Sequence, residues 1–373
     1  MINLEIEILD NIKEEEPKEE KNKKPRKKLS WFYYVLMGLA VLIIGASVYF
    51  FVIKKDNTNE SNNNETNEEE TETAEKTEIE IIDLSSNSRS YAVMINNLNA
   101  ARPYQSGLQD AYIVYEIIVE SGITRMMAIF KDQDTSRIGS VRSARHYFLD
   151  YAMENDAIYV HYGWSPQAQS DISTYDIDNI NGLYDSAFWR ESDLPVAYEH
   201  TAFTSMTKIT STAKSKSYSA TTTQDTLLNY SIQEVDLSTE DDAIVANAVN
   251  IKYSSYITTT YAYNSEDKLY YRSVNGKKHV DYVTDEQYTA KNIIIAYVEN
   301  EDIVGDTKGR QTLDNIGTGT GYYITDGYAI PITWTKTSRS AQTVYTKANG
   351  EEIDVNDGNT FIQIAPLKSA TIS

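Results

Sequence analysis

The sequence predicts an α+β protein with an N-terminal transmembrane helix, a flexible linker, a mixed α/β sheet domain and a smaller, mainly antiparallel β domain. Three observations predict it. No residue from Trp31 to Ile53 is charged, strand-like and helix-like segments alternate over 81–228, and Tyr- and Thr-rich hairpin patterns fill 243–373. Alternation of the second kind implies a sheet with helices on it, and the third implies antiparallel pairing.

Residues 1–30 combine an acidic run, Glu14–Glu20, with Lys21, Lys23, Lys24, Arg26, Lys27 and Lys28. They are expected to be a disordered tail. Residues 31–53 have the roughly 20 apolar positions a helix needs to cross the hydrocarbon layer. Trp31 to Tyr34 at one end and Tyr49 to Phe51 at the other match interfacial aromatic belts. A cleaved signal peptide would have a shorter apolar region and a small-x-small site, which Tyr49–Lys55 does not offer. The basic residues precede the helix, and only Lys54 and Lys55 follow it. The expected topology is therefore single-pass in the cell membrane, with a cytoplasmic N-terminus and extracytoplasmic domains. Residues 54–80, made mostly of Asn, Glu and Thr, cannot bury enough surface to fold and read as an extended acidic linker.

The α/β domain is expected over 81–228. Tyr91–Ile95, the apolar run Ala111–Val119, Thr124–Phe130 and Ala157–Val160 read as strands. Arg142–Glu154 shows helical spacing, with Ala144, Phe148 and Tyr151 on one face. A second helix is expected after Ser165-Pro166, with Ser as N-cap and Pro as first helical residue. The Ser- and Thr-heavy tract from about Thr210 to Thr239 reads as a junction. Beyond it, Ile251–Tyr263 and Ile293–Val298 are strand-like, and Asn264-Ser265, Asn275-Gly276, Asn349-Gly350 and Asp357-Gly358 are turn signals. Gly317-x-Gly319-x-Gly321 precedes a strand instead of a helix, so it reads as a turn or bulge and not as a dinucleotide fingerprint.

Net charge is −21 and there is no cysteine. An acidic surface argues against nucleic acid as a partner. Absence of thiols excludes disulfides, thiolate metal sites, a cysteine nucleophile and lipid attachment through cysteine.

Several segments together resemble the YerB-like family of bacterial surface proteins. They include Val93–Asn97, Ala101–Leu108, Ala111–Glu116, Glu120–Arg125, Ile138–Arg145, His161–Ala168, Phe188-Trp189-Arg190 and His200 with Thr204-Ser205. Ile332–Lys336, Gly350 and Asn356–Ile362 extend the likeness, which spans most of 90–367 in order. The resemblance implies paired domains on the cell surface and assigns no reaction. Family members are commonly anchored through a cysteine, which a transmembrane helix replaces here. His146 and Glu199 stand where the family commonly has proline, which weighs against a role for His146.

A proline-compatible position 146 implies that a helix starts there, placing Ser143, Ala144 and Arg145 at its first turn, where free N–H groups suit an anion. Arg142 and Arg145 would add forked donors, with Arg125 and Arg102 converging on them. The alternative is internal pairing of these arginines with Glu116, Glu120, Asp110 or Asp150. Expected ligand-binding residues are thus Arg102, Arg125, Arg142, Ser143 and Arg145. The anion would be cell-wall glycan, polyprenyl phosphate or a group on an envelope protein. Two enzymatic alternatives stand beside this binding reading. One is a magnesium-dependent enzyme on polyprenyl-linked glycans, with Asp110 or Glu116 holding Mg2+ or acting as base. The other is a peptidoglycan hydrolase using Glu116 or Glu120 with His161; His200 completes the catalytic candidates. His161, His200 and Asp110 form an alternative metal set without diagnostic spacing. Ser165 reads as an N-cap before it reads as a nucleophile. Trp164, Trp189 and Trp334 would stack on sugars or fill the core, core being the commoner fate.

Overall fold

The computed structural model describes residues 78–373. The expected disordered tail 1–30, the expected transmembrane helix 31–53 and all but the last three residues of the expected linker 54–80 lie outside the described residues. Among those described, no helix is long and apolar enough to cross a membrane. Near the start of the described residues, the backbone N–H groups of Glu80 and Ile81 donate to the Asp357 carboxylate at 2.7 and 2.9 Å.

The strands β1 (Tyr91–Asn96), β2 (Ile113–Ile118) and β3 (Thr124–Phe130) are buried throughout. Their near-continuous apolar sequences follow from a sheet covered on both faces. The chain continues through β4 (Ile138–Gly139), α1 (His146–Met153), β5 (Ile158–His161) and α2 (Pro166–Thr174). Then come β6 (Asn179–Asn181), β7 (Trp189–Arg190), β8 (Ala202–Thr204) and α3 (Met206–Ser215). β1 pairs antiparallel with β3 and parallel with β5, and β5 pairs parallel with β6. Ser165 caps α2 as its sequence predicts, its hydroxyl accepting from the Ala168 N–H at 3.2 Å. The start of the expected junction is helical instead. Ser205 caps α3, and Met206, Ile209 and Ala213 bury one face of it, a spacing hidden among the intervening Ser, Thr and Lys.

A mixed α/β sheet domain is followed by a smaller, mainly antiparallel β domain, and one strand of the latter completes the former. Thr360–Ala365 lies between β2 and Asn292–Tyr297, parallel to both. One 11-stranded sheet therefore draws strands from both parts of the chain. A separate 6-stranded sheet contains Ala248–Lys252, Thr258–Asn264 and Leu269–Val274 in antiparallel order. The run Ile251–Tyr263 is thus two strands, broken where the Tyr253 N–H donates to the Ile257 carbonyl at 3.0 Å. Gly317, Gly319 and Gly321 lie inside a strand, Gly317–Thr325, and not in a turn. A Cβ at Gly321 would stand 1.8 Å from the Ile295 carbonyl oxygen, and one at Gly319 would meet the Trp334 ring at 2.6 Å. Close backbone approach is what glycine provides there.

Side chains alternate between two cores. Ala92, Met94, Tyr115 and Ile117 pack with Phe148 and Tyr151 of α1 and Ala168 of α2. Val93, Ile95, Val114 and Ala128 pack with Ile209 of α3 and with Val249, Tyr261 and Tyr270 of the 6-stranded sheet. Each core also holds a buried ion pair between early and late parts of the chain. Glu116 meets Arg272 at 2.9 Å, and Glu154 meets Lys336 at 2.7 Å, every partner at most 1% exposed.

Candidate functional site

β1 and β5 are hydrogen-bonded only over Tyr91–Val93 and Ile158–Val160. Past that point they separate, and residues 140–145 fill the gap. The Asn96 N–H donates to the Ser140 carbonyl, Arg142 N–H to Met94, Tyr162 N–H to Arg142, and Ala144 N–H to Gly163, all at 2.9–3.0 Å. Arg142 and Ser143 are thereby delivered to the carboxyl ends of three mutually parallel strands, where open α/β sheets characteristically hold ligands. The same bonds bear out a helix start at position 146 and overturn the helical spacing read from Arg142 onward. α1 starts at His146, while Arg142–Ala144 are extended because β1 and β5 supply their partners. Arg142 and Ala144 already donate their N–H groups, so the expected row of free donors at 143–145 is not formed.

Among the arginines, internal pairing and outward display divide. Arg145 and Arg125 both turn to Glu120: Arg145 Nε hydrogen-bonds one oxygen, and Arg125 Nη2 lies 3.8 Å from the other. Arg125 also donates to the Ser143 carbonyl. Burial, then the neighbouring Arg145 charge, lowers the Arg125 pKa to about 9. Burial works against ionised Glu120, but Arg145 and Arg125 hold its pKa below the usual value. Arg102 is buried against Asn97, Nε to Oδ1 at 3.2 Å and Nη2 to the carbonyl at 3.0 Å. Burial, then Arg272, lowers its pKa to about 10. The Ser143 hydroxyl donates to the Tyr162 carbonyl at 3.0 Å.

Arg142 is different. Its Nη1 donates to the Glu199 carbonyl at 3.2 Å, and its Nη2 lies 3.6 Å from the Glu199 carboxylate, which is 58% exposed. Arg190, on β7, donates to the preceding carbonyl, that of Tyr198, at 2.5 Å. Two guanidiniums thus grip consecutive carbonyls of the short turn Tyr198–His200. The Arg190 plane is held between the Tyr162 and Tyr198 rings, 4.3 and 4.0 Å from their centres.

His200 completes the group through a polar chain that fixes its tautomer. Arg272 Nε donates to His279 Nδ1 at 3.0 Å, so His279 Nε2–H donates to Gln105 Oε1. Gln105 Nε2 donates to the Asn96 carbonyl, and Asn96 Nδ2 to His200 Nδ1 at 2.8 Å. His200 Nε2 therefore carries the hydrogen, 3.7 Å from the Glu199 carboxylate. Burial, then Arg142, lowers the His200 pKa and favours this neutral form.

The catalytic candidates are otherwise engaged. Both Glu116 oxygens are occupied: Asn97, Thr124 and Thr259 donate to them beside Arg272. His161 is fully buried, donating from Nδ1 to the Gly163 carbonyl at 2.8 Å, with Nε2 3.2 Å from Asn179 Oδ1. Asp110 accepts from Thr135 at 2.6 Å in a separate cleft of about 690 Å³ that Asp281 and Tyr288 also line. Among the described residues no three His, Asp or Glu side chains gather as a metal site needs, so His161, His200 and Asp110 are not brought together. Trp334 is core at 4% exposure, while Trp164 and Trp189 are half-buried.

Sequence reasoning passed over Arg190, Glu199 as a partner, and the chain Arg272–His279–Gln105–Asn96. Arg190 carried one signal, its place among Phe188, Trp189 and Tyr198. Nothing local marks Arg272 as the partner of Glu116.

Comparison with known proteins agrees with this architecture. Residues 77–219 match the model of the N-terminal domain of a protein of unknown function (DUF3048), and 249–362 match the model of its C-terminal domain. The Bacillus subtilis (strain 168) protein named "Putative lipoprotein YerB" is 33% identical over 315 residues, 81% of this chain and 90% of that one. The crystal structure of YerB from Bacillus subtilis superposes with a TM-score of 0.67 at 32% identity, covering 77% of this chain and 94% of that one. With both domain models matched in order and a relative of this identity over most of its length, the chain belongs to the YerB-like DUF3048 family.

Proposed function

We propose that the protein is a membrane-tethered, extracytoplasmic component of the cell envelope that binds an anionic envelope ligand. The apolar run 31–53, the basic residues before it and the lipoprotein name of its relative support the location. One observation carries the binding reading: Arg142 and Arg190 meet at a surface turn whose sole carboxylate, Glu199, is loosely held. In a chain of net charge −21, that local surplus of cations calls for an anion. The candidates are cell-wall glycan, polyprenyl phosphate or an acidic patch on an envelope protein. Binding is favoured over catalysis because Glu116 and Glu120 are committed to Arg272, Arg125 and Arg145.

The test is co-sedimentation of the detergent-solubilised full chain with purified cell-wall material and with polyprenyl-phosphate vesicles. Wild type is expected in at least one pellet, less so at high salt. The R142A/R190A double variant should lose retention on wall material, and lose any gain that polyprenyl phosphate gives over phosphatidylcholine vesicles, with an unchanged melting temperature. Wild type that pellets with neither material would sink the reading.

A further inference from the structure

The Glu199 carboxylate sits badly in its own site. A single oxygen, Oε1, faces both Arg142 Nη2 and His200 Nε2, at 3.6 and 3.7 Å, and both separations exceed a hydrogen bond. Arg190 has no carboxylate partner at all among the described residues, and its Nε is buried without a hydrogen-bond acceptor. A buried, unsatisfied guanidinium nitrogen beside an exposed, poorly seated carboxylate is an unusual pairing, since native structures satisfy nearly all such donors.

The surrounding side chains are nonetheless well partnered. Arg190 is clamped between two tyrosine rings, Arg142 is threaded into the sheet by its own backbone, and His200 is locked through Asn96. The donors are each held by partners of their own, and the exposed, loosely contacted member is Glu199. Bringing Arg142, Arg190 and His200 together on one ligand takes several oxygens in different directions. A planar carboxylate offers two; a phosphate group offers three or four, and arginine forks suit it well.

We propose that the Tyr198–His200 turn is a phosphate seat in which Glu199 is the resident occupant, displaced when a phosphate group of the ligand enters. This rests on the anion-binding reading above and adds the ligand class and the residue that competes with it. Asn96, Gln105 and His279 are positioning residues, since they set which nitrogen of His200 faces the ligand.

Isothermal titration of the full chain in micelles, with inorganic phosphate and with acetate as probes, tests the proposal. Phosphate should bind more tightly than acetate, and E199Q should tighten phosphate roughly three- to tenfold by removing a competing charge at short range. R190K keeps the charge but loses the stacked fork, and should weaken phosphate binding while the melting temperature holds. Equal affinity for phosphate and acetate, or an E199Q affinity at or below wild type, overturns the phosphate seat even if the protein still sediments with envelope material. Sedimentation failing together with phosphate binding overturns both readings. To separate sources, E199Q is compared on phosphatidylcholine vesicles with and without polyprenyl phosphate and on a soluble glycerol-phosphate oligomer. The arm in which E199Q gains identifies the source, and gain in neither counts against the proposal.

Discussion

Glu116 and Arg272 show how a charged residue is made tolerable inside a protein. Neither side chain has measurable exposure, and burial alone would lower the Arg272 pKa. Glu116, with Tyr261 and Tyr253, raises it instead, keeping the guanidinium charged. Removing one partner of such a pair leaves the other buried and uncompensated, which typically costs about 3–5 kcal/mol. R272M is therefore expected to lower unfolding free energy in urea by that amount, and an R272M/E116L double variant to recover most of it. Buried histidines act through protonation. Burial lowers the pKa of His161 to about 4, from an ordinary value near 6.5. Between those values the unfolded chain takes up a proton that the folded chain refuses, so stability is lost as pH falls from about 6.5 towards 4 and then levels off. Melting temperature followed from pH 7 to 4 should fall, and H161Q should flatten part of that fall.

At the scale of elements, what the sequence showed plainly was set by local rules. The Ser165-Pro166 start of α2 is written in two adjacent residues, and S165A should cost about 1 kcal/mol through loss of the cap. β1, β2 and β3 were visible because strands buried on both faces are apolar almost throughout. The helical spacing of Ala144, Phe148 and Tyr151 misled over Arg142–Ala144, whereas the proline-compatible position 146 marked the start that the hydrogen bonds of β1 and β5 enforce. The glycines at 317, 319 and 321 misled for a similar reason. Their strand is dictated by what crosses it, and G321A should be strongly destabilising because its Cβ has nowhere to go against Ile295. The candidate site was half legible: Arg142 could be singled out from charge alone, whereas Arg190 and His200 join it only through the turn Tyr198–His200.

Across the whole molecule, the two parts recognised by composition share one sheet. Thr360–Ala365 covers the edge that β2 would otherwise leave open, and Glu116 and Glu154 are each satisfied by residues far along the chain. Expressed alone, residues 78–228 should fail to give a dispersed amide NMR spectrum, and addition of residues 243–373 should restore it. A folded, monomeric 78–228 fragment would show that the shared strand is dispensable.

That shared strand also sets a clock. Because the partner of β2 ends at Ala365, a chain emerging N-terminus first displays most of its sheet before the missing strand exists. Pairing over such separations is slow, and an open apolar edge is a template for unwanted association while it lasts. Maturation is therefore gated by the appearance of Thr360–Ala365, and deletion of that strand should be read out as aggregation before it is read out as lost binding.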